Sequence, residues 1–113
     1  MKPKTAITAL GALAHETRLK VFRLLVRMGT EGLPAGAIAS RLGVHPATLS
    51  HHLGLLERAG LLTAQRRARQ IVYAADFDGM GRLLGYLMED CCRGLPEIMT
   101  AVRPVGAKEE IEA

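Results

Sequence analysis

The stretch Ile38 to Leu62, "IASRLGVHPATLSHHLGLLERAGLL", decides how the rest of the chain is read. Its apolar residues fall at helical spacing in two runs, parted only by Gly43 and Val44. The first run begins upstream in "LPAGAIASRLG" with Pro34, a residue tolerated in a first helical turn, turns Ile38 and Leu42 inward and stops at Gly43. The second has Pro46 near its first position, Leu49, Leu53 and Leu56 on one face, and Gly60 at its end. Two short helices joined by a tight glycine turn make a helix-turn-helix, an arrangement whose second helix enters the major groove of DNA.

The residues downstream extend that reading. After Gly60 the period becomes that of strands, in "LLTAQ" and "QIVYA", with β-branched or aromatic Thr63, Ile71, Val72 and Tyr73. The basic "RRAR" joins them, so a hairpin follows the helix pair and the whole is a winged helix-turn-helix. Arg66, Arg67 and Arg69 then stand where a wing reaches for phosphates or the minor groove. An isolated basic turn is more often just solvated; the helix pair immediately upstream favours the wing.

On the second helix Thr48, Ser50, His51 and His52 carry hydroxyl and imidazole groups able to bond base edges and phosphates. His45 opens that helix, whose N-terminal dipole favours a phosphate. Ordinary exposed helix surface is the plain alternative for Thr48, Ser50 and His51. His52 lies beside the Leu49, Leu53 and Leu56 stripe, and its alternative is a packed histidine with satisfied bonds.

Helices flank this unit. "TAITALGALA", Thr5 to Ala14, sets Ile7, Leu10 and Leu13 or Ala14 on one face. "ETRLKVFRLLVRM" sets Leu19, Phe22, Leu25 and Val26 against Lys20, Arg23 and Arg27, and ends at "GTEG". From Asp76 the helical period returns through Phe77, Met80, Leu84, Leu87 and Cys91, until "RGLP" breaks it. The expected architecture is mainly α with a two-stranded β-hairpin wing. A DNA-binding and dimerisation domain spans residues 1–96, and residues 97–113 form a C-terminal tail expected to be flexible beyond a short helical continuation.

Composition agrees. A chain of 113 residues fits one domain, and 49% hydrophobic content with two Phe, two Tyr and no Trp builds a core of Leu, Ala, Val, Ile and Met. The net charge of +4 is uneven: residues 1–40 carry six Lys/Arg against two acids, and residues 41–75 carry five Arg against Glu57. Residues 76–100 carry five acids against Arg82 and Arg93, so a polyanion-binding part precedes a part kept off the polyanion. The apolar runs fall far short of the ~20 residues that cross a bilayer, and no signal-peptide pattern is present. A cytoplasmic protein without a membrane partner is expected. Two adjacent cysteines make no disulfide framework, which suits a reducing compartment.

Taken together, "LGALAHETRLKVFRLLV", "IASRLGVHPATLSHHLGLLERAGLL" and "RRARQIVYAA" resemble the ArsR/SmtB family of bacterial winged-helix repressors, over about residues 8–92. The resemblance implies a homodimer assembled through the first and last helices, bound to an inverted-repeat operator on double-stranded DNA and released by an inducer. Two departures stand out. His45 occupies the place of a common Ser N-cap, and the wing turn has Ala68 in place of its usual glycine.

Family inducer sites can be checked residue by residue. A Cys-Val-Cys motif would fall in "LPAGAIA", where Pro34 and Gly36 replace the thiols, so that site is absent. The zinc site of the last helix would fall near Asp76, Asp78, Glu89 and Cys92, but its histidines are missing and zinc prefers His and Cys. Cys91 and Cys92 remain, placed as cysteine pairs are in an arsenite- or antimonite-responsive branch of the family. Trivalent arsenic is thiophilic, so As(III), Sb(III) or methylarsenite is the implied inducer and no constitutive cofactor is expected. Inorganic arsenite takes three thiolates and the subunit offers two. A partner subunit, a non-thiol group or a monomethylated arsenical would each resolve the count.

Three alternatives stand beside metalloid sensing. Cys91 falls on the Phe77, Met80, Leu84 and Leu87 face, where a cysteine serves as small apolar filler. A redox switch ranks second, because Glu89, Asp90 and a helix C-terminus disfavour the thiolate and only Arg93 opposes them. An enzyme would need a base and an activated cysteine near a helix N-terminus or in a Cys-x-x-Cys loop; neither is visible, so none is expected.

Overall fold

Residues 1–89 are described by the computed structural model of the chain. In order they form α1 (Pro3–Leu13), α2 (Glu16–Met28), a 3-10 turn (Gly29–Glu31), β1 (Leu33–Pro34), α3 (Ala35–Leu42), α4 (Pro46–Arg58), β2 (Leu62–Arg67), β3 (Gln70–Ala75) and α5 (Phe77–Glu89). The expected helices and hairpin are all present. Expectations about "RGLP", Cys91, Cys92 and the tail lie outside the described residues.

The helix-turn-helix closes as its sequence demands. Gly43 takes φ +66°, a left-handed conformation that costs a residue with Cβ about 1–2 kcal/mol, and Val44 N–H returns to the Ala39 carbonyl at 3.0 Å. Ile38 of α3 and Leu49, Leu53 and Leu56 of α4 are 0–1% exposed and meet Val21 and Leu25 of α2. Each side chain buried so completely contributes roughly 1.5–3 kcal/mol, so this cluster is the main reason the two helices hold one angle. Leu42, expected inside, is only partly buried.

The sheet has three strands rather than two, in the antiparallel order β1-β3-β2. Leu33 pairs with Tyr73 and Pro34 with Val72, so the residues expected to open a helix form an edge strand and Pro34 becomes the N-cap of α3. A proline is compatible with an edge, where its missing N–H faces no partner. Two residues are too short a run to announce a strand by alternation. The hairpin register brings Arg67 opposite Gln70, leaving Ala68 and Arg69 as a two-residue loop. Ala68 carries φ +57°, among the described residues the one non-glycine in that region.

In the outer helices the buried residues are not all those of the apolar stripes. In α1 the buried residues are Ala6, Ala9 and Ala12, whereas Ile7 is 69% and Leu10 41% exposed. Alanine lets helix backbones approach closely, and the larger side chains are left outside. In α2, Val21 and Leu24 join Phe22 and Leu25 inside, and Leu19 is 43% exposed. In α5 the buried residues are Gly79 and Leu83, while Phe77, Leu84 and Leu87 of the apolar stripe are 38–50% exposed.

Gly79 explains the rotation of α5. A Cβ there would run into the Gly60 carbonyl oxygen, so the helix rests its smallest residue on the end of α4. The start of α5 is fixed by Asp76 N–H donating to the Leu61 carbonyl at 2.9 Å and by the Asp76 carboxylate accepting from Gly79 N–H at 2.9 Å. That carboxylate, aligned with a family zinc position, therefore caps a helix.

Candidate nucleic-acid interface

Helix α4 is the second helix of the helix-turn-helix. His45 is its N-cap, with Nδ1 accepting from Ala47 N–H at 3.0 Å, and Pro46 follows at the first helical position. An acceptor Nδ1 leaves the ring proton on Nε2, which then projects a donor from the helix start. The ring thus replaces a serine cap without loss of the bond. Thr48, Ser50 and His51 are exposed, whereas Leu49, Leu53 and Leu56 are buried. Spacing of three between Thr48 and His51 puts them on one face.

The wing stands beside this face. A groove of about 280 Å³ runs between the start of α3, α4 and β3, and Ser50 shares it with Gly36, Pro46, Ile71 and Tyr73. Burial, and secondarily the charge of Glu57, holds the Tyr73 phenol above its ordinary pKa, so it stays a neutral hydroxyl. Arg66, Arg67 and Arg69 are exposed at the far end of the hairpin. Arg67 donates to the Gln65 side chain at 3.1 Å, which orders one of the three cations. Among the described residues the single salt bridge found is Lys20 to Glu16 at 3.2 Å, so the wing arginines carry no carboxylate partner there.

His52 is placed differently from the other named residues. Its ring is 6% exposed, on the buried side of α4, and so it is not a group the helix can present to a base. The packed alternative is the observed one. Its Nδ1 lies 3.2 Å from Nη1 of Arg18, and since a guanidinium only donates, the nitrogen accepts and the imidazole is neutral. The His15 ring lies 4.6 Å away between centroids and the His51 ring 5.7 Å. Burial is the main cause that lowers the His52 pKa from its ordinary 6.5, with His15, Arg18 and His51 adding to it in that order.

Sequence reasoning missed Arg18 and His15. Arg18 sits between Glu16 and Leu19 at the start of an amphipathic helix, where it reads as solvated. Instead its Nε donates to the Ala12 carbonyl at 2.6 Å while Nη1 meets His52. His15 caps α2, its Nδ1 accepting from Thr17 N–H at 3.1 Å. Nothing in the linear pattern distinguishes these two from surface residues; the spatial approach of α4 does.

No three His, Cys, Asp or Glu side chains come together as a metal site among the described residues. Cys91 and Cys92 lie outside those residues.

A helix-turn-helix with exposed polar residues on its second helix and a basic wing is the fold of a DNA-binding regulator, and comparison with known proteins agrees. A family model for a helix-turn-helix domain matches residues 13–65. The nodulation protein NolR of Rhizobium meliloti is 32% identical over 80 residues, 71% of this chain and 63% of that protein. This chain thus spans less than two thirds of NolR's length. The biofilm growth-associated repressor of Agrobacterium fabrum is 32% identical over 83 residues, 74% of this chain and 68% of the relative. Among solved structures, the homodimeric winged helix-turn-helix DNA-binding domain Mb0332 of Mycobacterium bovis, described as a possible ArsR-family transcriptional regulator, superposes with a TM-score of 0.63 at 25% identity. That match covers 81% of this chain and 82% of the other. The chain belongs to the ArsR/SmtB-like family of winged helix-turn-helix transcriptional regulators. Its relatives of this kind are regulators that bind DNA, not enzymes.

Proposed function

We propose that the protein is a homodimeric repressor that holds an inverted-repeat operator and lets go when As(III), Sb(III) or methylarsenite binds Cys91 and Cys92. The observation that carries the DNA half is the exposure of Thr48, Ser50 and His51 on a helix whose Leu49, Leu53 and Leu56 are buried. His45 and the wing arginines Arg66, Arg67 and Arg69 supply phosphate contacts around it. His52 is withdrawn from this set.

Pairing of subunits is supported by the exposed apolar residues Ile7 and Leu10 of α1 and Phe77 and Leu84 of α5, two helices that touch one another. Apolar area of this extent is favourable to bury and matches the first-and-last-helix dimer that the sequence implies. The Mycobacterium bovis domain named above is itself homodimeric. No helix among the described residues is long and apolar enough to cross a membrane, and action on DNA belongs to the cytoplasm.

The inducer half rests on donor chemistry. Cys91 and Cys92 are the chain's only thiols, they are adjacent, and they follow α5, one of the two proposed pairing helices, by two and three residues. Ligation there would strain or shift the pairing helix and change the spacing of the two reading helices. A coupling of roughly 1–3 kcal/mol is ordinary for such a switch.

Fluorescence anisotropy tests both halves, with a labelled duplex recovered by the protein from a randomised pool and titrations repeated with arsenite, antimonite, methylarsenite, zinc and peroxide. Cys91→Ser and Cys92→Ser should bind the duplex as wild type does and ignore the metalloid. A double variant that still responds to every metalloid removes the thiol site. Equal binding to a scrambled duplex removes the operator.

A further inference from the structure

We propose that Arg18 is a positioning residue for the DNA-reading helix, its guanidinium tying α4 through His52 to the C-terminal end of α1. The proposal rests on the reading of α4 as the helix that contacts bases. It adds a fixed mechanical link between that helix and the outer layer of the subunit.

The link is made by two bonds from one planar group. Nε of Arg18 donates to the Ala12 carbonyl at 2.6 Å, and Nη1 donates to His52 Nδ1 at 3.2 Å. Ala12 is in the last turn of α1, where carbonyls have no partner within the helix. His52 is on the buried side of α4, adjacent in sequence to exposed His51. The guanidinium therefore occupies an orphan acceptor of one helix and a buried acceptor of another. Its donors are fixed in a plane, so satisfying both bonds fixes the relative placement of the two helices.

His15 completes the junction. Its ring caps α2 through Thr17 and lies 4.6 Å from the His52 ring, so the end of α1, the start of α2 and the middle of α4 meet at one point. Leucine packing sets the angle of α4, but dispersion contacts are not directional and define its roll less sharply than hydrogen bonds of fixed geometry do. Two directional bonds resist that roll, and a roll of α4 moves Thr48, Ser50 and His51 relative to base edges. The same junction would carry a displacement of α1 to the DNA-reading face.

A lysine cannot replace this arrangement. Its ammonium is a single point on a flexible stem and lacks the guanidinium's two separated donors. Asparagine at position 52 differs in kind from leucine, because its side-chain oxygen falls near the place of imidazole Nδ1 and still accepts.

The test measures affinity for the selected operator duplex by anisotropy, at fixed salt and corrected for the folded fraction. Arg18→Met and His52→Leu should each weaken operator binding by about tenfold, and the double variant should bind within about threefold of the weaker single, as residues acting through one contact do. His52→Asn should stay within about threefold of wild type, since it keeps the acceptor. A residue that only supports the fold would lower stability in each case and leave the affinity of folded protein unchanged. Where Arg18→Met does not fold, Arg18→Lys takes its place in the cycle with the same non-additivity expected. The proposal is overturned if folded single variants bind as wild type, if their losses multiply in the double, or if His52→Asn is as weak as His52→Leu. Ser50→Ala and His51→Ala separate the two levels. If these two bind as wild type, the reading of α4 has failed and the link falls with it; if they weaken binding while Arg18→Met and His52→Leu do not, the link alone has failed.

Discussion

Replacing Ala68 by glycine should make the protein more stable, although it removes a methyl group from a hairpin. Ala68 is the first residue of a two-residue loop between Arg67 and Gln70 and has φ +57°. It is exposed, so its Cβ contributes no burial that could be lost. An L-residue in the left-handed region costs about 1–2 kcal/mol relative to the right-handed one. Glycine removes that strain but loses more freedom on folding, by roughly 0.5–1 kcal/mol. The difference leaves about 0.5–1 kcal/mol in favour of Ala68→Gly, or roughly 2–5 °C in the melting midpoint for a domain of this size. Ala68→Asn tolerates the same backbone without the full entropic loss and should stabilise comparably, while the β-branched Ala68→Val should destabilise. Urea denaturation followed by circular dichroism measures all three, with an unchanged m-value confirming that only stability has moved. An Ala68→Gly protein less stable than wild type, with Ala68→Val unaffected, would refute the argument that backbone strain sits at this position.

Three other outcomes follow from the same structure. Gly79→Ala improves helix propensity by roughly 1 kcal/mol on paper, yet its Cβ meets the Gly60 carbonyl, so a net loss of about 1–3 kcal/mol is expected in the same urea assay. Because the folded state lowers the His52 pKa below 6.5, the unfolded chain binds this proton first as pH falls; stability should be full above 6.5, decline between that value and the folded-state pKa, and level off below it. Subtracting the His52→Asn profile isolates this contribution, and identical profiles would contradict the burial of a neutral ring. For the wing, Arg66→Ala or Arg69→Ala should reduce the slope of log affinity against log salt by about 1 per lost phosphate contact, two for a dimer. An unchanged slope would mean that these arginines stay in solvent.

Most of the fold was legible in the residues because its signals are local. Pro46 and Gly43 punctuate the helix pair, the Leu49, Leu53 and Leu56 stripe keeps helical period, and the change of period after Gly60 marks the hairpin. Local signals also placed Thr48, Ser50 and His51 on the second helix and Arg66, Arg67 and Arg69 in the hairpin, where all six are exposed. They failed where two segments distant in sequence meet. The β1 strand is two residues long and exists only because β3 passes beside it. The apolar stripes of α1 and α5 are legible as stripes, but their periodicity does not say which of their residues meet the subunit's own core. Alanines and Gly79 give closer approach to the subunit's own core, and the larger residues were left facing out.

The sequence by itself determined the winged helix-turn-helix, the family and the pair of adjacent thiols, since periodicity, turn residues and motif order need no knowledge of partners in space. Only the tertiary structure decided which residues of α1 and α5 are inside and what His52 does. Exposure of a polar residue on a helix depends on what packs against that helix. Here Arg18, thirty-four positions earlier in the chain, reaches the imidazole and turns an expected DNA contact into a buried acceptor.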